Sequence, residues 1–238
     1  MLLALWSPKG GSGTSVVAAA CALVAARPSS GNGGVRLVDL DGDQPAIFGL
    51  GADPELGVVD WMRAGPEAPA EALDRMIVEV APGLALLPRG ATGSVLEPVP
   101  AAEAGAALAV LLDDGAAPAV ADCGTAREPA ARAVAEVASA AVVVVRGCYL
   151  ALRRAVASPL LGRTVGAVLV EEPGRSLQCQ PVSDVLGVPI LARFPVREAI
   201  ARAVDAGVLA TRTPDALARP ALQLLDRIGV AGRRGAAA

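Results

Sequence analysis

The chain contains no histidine, a single lysine and only five aromatic residues (two Trp, one Tyr, two Phe) among 238 residues. Without histidine, and with Cys21, Cys123, Cys148 and Cys179 forming no C-x-x-C pair, the ligand set of a zinc site is missing. The cysteines read as small buried hydrophobes in a reducing compartment. So few aromatics leave no stacking platform for single-stranded nucleic acid. A net charge of −3 argues against a DNA-coating surface. Long apolar runs are missing too. Val16–Ala26 and Val137–Val145 fall short of the ~20 residues that span a bilayer. The apolar opening Met1–Trp6 is too short for a signal-peptide core. The expectation is a cytoplasmic protein with no direct DNA binding and at most peripheral membrane contact.

What remains is a chain 53% hydrophobic, built from Ala, Val and Leu, of a size for one α/β domain over residues 1–238. Its Ala/Gly/Pro/Arg-rich usage looks like that of a GC-rich bacterial genome, an inference from composition alone. Short continuous apolar runs at Leu2–Trp6, Val35–Asp39, Ala85–Leu87, Ala119–Ala121, Ala141–Val145, Val165–Val170 and Pro189–Phe194 read as strands covered on both faces. Helical stretches lie between them: Ser15–Ala26, Ala101–Leu112, Glu128–Val137, Leu150–Ser158, Val182–Leu186, Arg197–Asp205 and Pro214–Ile228. The alternation predicts a doubly wound α/β fold with a mostly parallel sheet of about seven strands flanked by helices. Ala64–Ala70 and Gly90–Pro100 read as surface loops, and Gly232–Ala238 as a frayed tail.

The stretch "WSPKGGSGTSVV", Trp6 to Val17, joins the first strand to the first helix. This is the context of a phosphate-binding loop. Gly10, Gly11 and Gly13 let the backbone turn its N–H groups, with those of Ser12 and Thr14, toward an anion. The helix adds its positive N-terminal end. Ser15 is placed to offer a hydroxyl to a phosphate-bound Mg²⁺.

"KGGSGTS" resembles the deviant Walker A motif, K-G-G-x-G-K-[ST], of the MinD/ParA family of P-loop ATPases. The resemblance extends to "RLVDLDGDQPAIFGLG" (Arg36–Gly51), "APAVADCGTA" (Ala117–Ala126) and "LGVPILARFPVREAIARAVDAGVLA" (Leu186–Ala210). It implies that Lys9 reaches across a nucleotide-promoted homodimer to the partner's phosphates. It implies that Asp41 orients the attacking water, that Asp39 and Asp122 lie with Ser15 at the metal, and that Pro195 falls near the adenine pocket. ATP or ADP with Mg²⁺ would be the cofactors, and an unidentified protein the partner. Read without the resemblance, Asp39 and Asp41 at a strand end could simply cap a turn, although three carboxylates following strands are hard to explain that way.

The chain departs from the family pattern twice. Thr14 stands where the family has its second lysine. "LVEEPGR" (Leu169–Arg175) carries Glu171 and Glu172 where the family often has an adenine-reading asparagine. The leading expectation is an ATP-dependent switch of the MinD/ParA type with weak or slow hydrolysis, acting in cell division, polar organisation or pilus and secretion assembly. A non-hydrolysing scaffold that keeps the fold is the alternative; a metabolic enzyme of the wider P-loop group lacks a visible second catalytic domain. The C-terminal helix, with Leu222, Leu225 and Ile228 on one stripe, reads as core-packing rather than membrane-binding. The basic start "RGCYLALRR" (Arg146–Arg154) reads as a solvated face or a partner surface.

Overall fold

The computed structural model describes residues 1–32, 34–65, 68–90 and 97–229. The expected tail at 232–238, residues 66–67 of the first expected loop and residues 91–96 of the second lie outside that set.

The elements follow the chain as β1 (Leu2–Trp6), α1 (Thr14–Ala25), β2 (Val35–Asp39), α2 (Gln44–Ile47), α3 (Val58–Arg63), α4 (Ala70–Asp74), β3 (Val78–Ala81), β4 (Leu84–Leu87), α5 (Pro98–Asp114), β5 (Ala119–Asp122), α6 (Pro129–Val137), β6 (Ala140–Arg146), α7 (Tyr149–Val156), β7 (Thr164–Glu171), α8 (Cys179–Leu186), β8 (Ile190–Pro195), α9 (Glu198–Asp205) and α10 (Asp215–Arg227). The strands form one sheet in the order β3-β4-β2-β5-β1-β6-β7-β8. Every pairing is parallel except β3 with β4. The sheet thus has eight strands rather than about seven. The extra one, β3, is a half-exposed edge strand joined to β4 through Pro82–Gly83, with Gly83 at φ +74°. A Pro-Gly pair of this kind suits a tight turn.

Both faces are covered, which is why the central β1 is apolar throughout. One core gathers α1, α2, α9 and α10 against Leu3, Leu5, Leu37 and Val142. The other gathers α3 to α8 against Leu2, Ala4, Trp6 and Val143. Small residues bring the layers close. In α5, Gly105 lies directly against the Ala130 carbonyl of α6. Gly49, just after α2, and Gly207, just after α9, touch backbone to backbone, and both have positive φ. α10 is core-packing as expected, although its buried stripe is Leu217, Ala221, Leu224 and Leu225, while Leu222 faces solvent. Cys21 and Cys123 are buried; Cys148 and Cys179 are partly exposed, and all four are free thiols. Among the described residues no helix is long and apolar enough to cross a membrane.

Candidate functional site

Parallel strands send their carboxyl ends to one edge of the sheet, and ligands of open α/β sheets bind there. At this edge β1 runs into the glycine loop. Ser7 N–H donates to Gly124 O at 2.8 Å, tying the loop to the segment after β5. The hydroxyls of Ser7 and Ser12 both donate to Lys9 O, at 3.0 and 2.9 Å. Gly11 and Gly13 sit at φ +72° and +92°, a region L side chains rarely adopt. Gly13 is the N-cap of α1, and no side chain caps that helix. Its first N–H groups are left for a ligand.

The loop walls a cleft of about 430 Å³ with Gly10 to Val16 on one side and Asp41, Asp43, Gly124, Thr125 and Asp205 among the residues opposite. No lysine or arginine lines it among the described residues. Thr14 is buried and faces the cleft. Lys9 stays outside: its Nζ donates to Gly10 O at 2.9 Å on the surface.

Beneath the cleft lie two carboxylates paired by strand register, Asp39 of β2 beside Asp122 of β5, both fully buried. Asp39 is a turn staple. It accepts N–H bonds from Asp41 (3.1 Å), Gly42 (2.6 Å) and Gln44 (3.0 Å), fixing the path from β2 to α2. Asp122 accepts from Gly124 N–H (3.1 Å) and from Gln44 Nε2 (2.8 Å), which also donates to Ser15 O at 3.0 Å. Burial pushes the Asp122 carboxyl from the ordinary 3.8 up to about 7, and the neighbouring Asp39 charge adds to it. Burial likewise pushes Asp39 up to about 6, although its three backbone donors pull the other way. Asp41 is also raised, by partial burial and then by the Asp43 charge, while Arg89 lowers it. Its carboxylate rests on Gly124, where any Cβ would overlap it.

The residues fit a hard divalent cation. The Ser15 hydroxyl donates to Asp43 Oδ2 at 3.3 Å. Gln44 is fully buried and its Oε1 has no hydrogen-bond partner. A hydroxyl, carboxylates and an orphaned carboxamide oxygen, all oxygen donors, are what Mg²⁺ and its waters take. Gln44, Asp43 and Arg89 were not singled out from the sequence. Gln44 stood inside the quoted strand-and-loop segment, but nothing in a linear pattern marks a glutamine as buried.

A second, apolar cleft of about 180 Å³ adjoins the first, sharing Gly13, Val16, Val204 and Asp205 with it. Val170, Phe194, Pro195 and Ile200 line it, with Arg146 and Arg197. Gly10 to Ser15, Asp41 and Pro195 therefore meet along one continuous groove. Asp122 and Asp39 underlie it, and Lys9 stands at its entrance.

The fold and the loop define a class: a doubly wound α/β domain with phosphate-loop geometry at the carboxyl edge of its sheet. No protein-family model and no curated protein matches the sequence. Solved structures do match the fold. A ParA family ATPase from Chlorobium tepidum TLS gives a TM-score of 0.75 at 23% identity, over 93% of this chain and 95% of that one. The septum site-determining protein MinD of Pyrococcus horikoshii OT3, complexed with Mg-ADP, gives 0.72 at 19% identity over 98% of each chain. The MinC:MinD cell division protein complex of Aquifex aeolicus gives 0.75 at 17% identity, over 96% of this chain and 95% of that one. Over 93–98% of its length the chain shares the fold of these MinD/ParA P-loop ATPase structures.

Proposed function

We propose that this chain is a nucleotide-dependent dimerising switch of the MinD/ParA type, which loads Mg-ATP, turns it over slowly, and recruits a protein partner in its loaded state. The observation that carries the proposal is a phosphate cleft with every backbone feature in place and no cation of its own among the described residues. A triphosphate there adds negative charge beside Asp41, Asp43 and Asp205. The α1 N-terminus offsets part of it. Bound Mg²⁺ would neutralise phosphate charge; Ser15 would ligate it, and Asp122 with Gln44 Oε1 would hold its waters. Ionised Asp122 is the form that does so. The remaining charge calls for a cation from outside the subunit.

Lys9 meets that need across a two-fold axis. It is the chain's only lysine, and its ammonium is a flexible point charge at the groove entrance. Isologous symmetry makes the contact reciprocal, so each Lys9 meets the other subunit's phosphates. Nucleotide then becomes part of the interface, and mass action links loading to dimerisation. Two of the structural neighbours fit this reading: one MinD holds Mg-ADP, and another is in complex with MinC.

Turnover is slow in this reading because Thr14 brings no charge to the transferred group, and such charge stabilisation is a large term in phosphoryl transfer. Asp41 orients the attacking water. The same buried Thr14 favours a second reading, a scaffold that binds nucleotide without hydrolysing it.

Light scattering on the natural chain and Lys9→Ala, each with and without Mg-ATP, tests the switch. The natural chain should dimerise with Mg-ATP, and Lys9→Ala should weaken the dimer more than it weakens nucleotide binding. Equal dimerisation of the two forms removes the trans role. Phosphate release at zero over many hours selects the scaffold.

A further inference from the structure

The groove is made of two clefts, and few side chains belong to both. Gly13, Val16, Val204 and Asp205 line the phosphate cleft and the apolar cleft alike. Of the four, only Asp205 carries a polar side chain. It is exposed, and its carboxylate makes no hydrogen bond or ion pair among the described residues. The other charges of α9 are settled, since Arg202 donates to Glu198 at 3.0 Å. Arg146 and Arg197 line the apolar cleft and not the phosphate cleft.

This is an unfavourable place for an acid. Asp205 is the last residue of α9, and a helix C-terminus carries the negative end of the dipole, which favours cations. Asp205 also shares the phosphate cleft with Asp41 and Asp43. Neither effect stabilises the free chain, and no contact of the carboxylate offsets them among the described residues. Its position is nonetheless fixed. Two residues further on, Gly207 meets Gly49 backbone to backbone, which holds the end of α9 against the end of α2.

A nucleotide with its phosphates on the glycine loop and its ring in the apolar cleft carries its sugar across the junction. The apolar lining of Val170, Phe194 and Pro195 suits such a ring. We propose that Asp205 is the ribose acceptor of the groove, taking hydrogen bonds from the 2′- and 3′-hydroxyls, and that the chain thereby selects ribonucleotides over deoxynucleotides. The proposal rests on the nucleotide-switch reading and leaves its phosphate and metal half unchanged. The vicinal hydroxyls present two O–H donors, and an ionised carboxylate is acceptor-only with two oxygens. Bonds of this kind to a charged acceptor are among the stronger ones. Acidic side chains take a ribose hydroxyl in the same manner in dinucleotide-binding sheets.

The test is calorimetric titration of the natural chain with Mg-ADP, Mg-2′-deoxy-ADP and Mg-3′-deoxy-ADP, repeated on Asp205→Ala and Asp205→Asn. All three ligands carry the same phosphates and base. Their affinity ratio within one protein therefore cancels the repulsion between Asp205 and phosphate, which would by itself make either variant bind every ligand more tightly. In the natural chain each deoxy form should bind about tenfold more weakly than Mg-ADP, the low end for a hydrogen bond to a charged group. In Asp205→Ala the three dissociation constants should agree within about twofold. Asp205→Asn keeps an acceptor without the charge, and its ratio should fall between the two. Circular dichroism confirms that both variants fold. Deoxy forms that bind the natural chain as tightly as Mg-ADP, or a gap that survives Asp205→Ala, overturn the ribose assignment and leave the nucleotide reading standing. No binding of any of the three overturns both.

Discussion

Replacing Thr14 by lysine puts a cation into a cleft that has none among its described lining residues. Thr14 opens α1, is 5% exposed, and faces the same space as Asp41 and Asp43. In the Thr14→Lys variant a new ammonium reaches the bound phosphates from the subunit's own loop. One charge-assisted hydrogen bond contributes about 1.5–3 kcal/mol. Immobilising the long side chain costs up to about 2 kcal/mol. A net gain of about 1 kcal/mol tightens Mg-ADP binding roughly fivefold, and a second hydrogen bond from the same ammonium takes it past tenfold. Turnover should rise by more than affinity, because the charge is most useful where negative charge develops during transfer. Calorimetric titration with Mg-ADP and a phosphate-release assay, both run beside Thr14→Met, measure the two effects. Met matches the length of lysine's stem without its charge and should bring no gain. Unchanged affinity and turnover in Thr14→Lys, or an equal gain in Thr14→Met, would refute the reasoning.

The buried pair Asp39 and Asp122 sets a pH dependence. Held at about 6 and about 7 against an ordinary 3.8, both keep protons in the folded chain that the unfolded chain has released. Over about pH 4 to 7 the folded state thus binds more protons, so stability of the nucleotide-free chain falls as pH rises through that window. Affinity for Mg-nucleotide should rise across the same window, because the metal needs ionised Asp122; thermal melts from pH 5 to 8 with and without Mg-ADP check both, and flat profiles contradict them. Gly105→Ala forces a methyl into the Ala130 carbonyl between α5 and α6 and should cost about 1–3 kcal/mol in a urea melt.

The glycine loop and the main strands were legible because each is marked by residue type alone. Gly11 and Gly13 are required by left-handed backbone, and Val142 to Val145 by burial on both sides of a sheet. The edge strand β3 was not, because a half-exposed strand of four residues leaves no continuous apolar run. Helices α2, α3 and α4 are four to six residues long, too short to show a helical period. At the site, the order of motifs placed Gly10 to Ser15, Asp41 and Pro195 around one groove. What it could not supply was orientation. Asp39 was expected at the metal, and its oxygens are turned onto three backbone N–H groups of the β2–α2 loop. Arg146 read as part of a basic surface stretch, and only the closure of β6 against β7 and β8 shows it lining a cleft.

The contact between Gly49 and Gly207 gives the groove a mechanical character. The backbones touch with no side chain between them to deform. Gly49 follows α2, whose approach from β2 is set by the Asp39 staple. Gly207 follows α9, which carries Val204 and Asp205, walls of both clefts. A shift of α2 cannot be absorbed by rotamers at this point, because backbone meets backbone there. The two adjoining clefts of the groove therefore share one unyielding backbone contact, and a shift at the wall of one bears on the wall of the other.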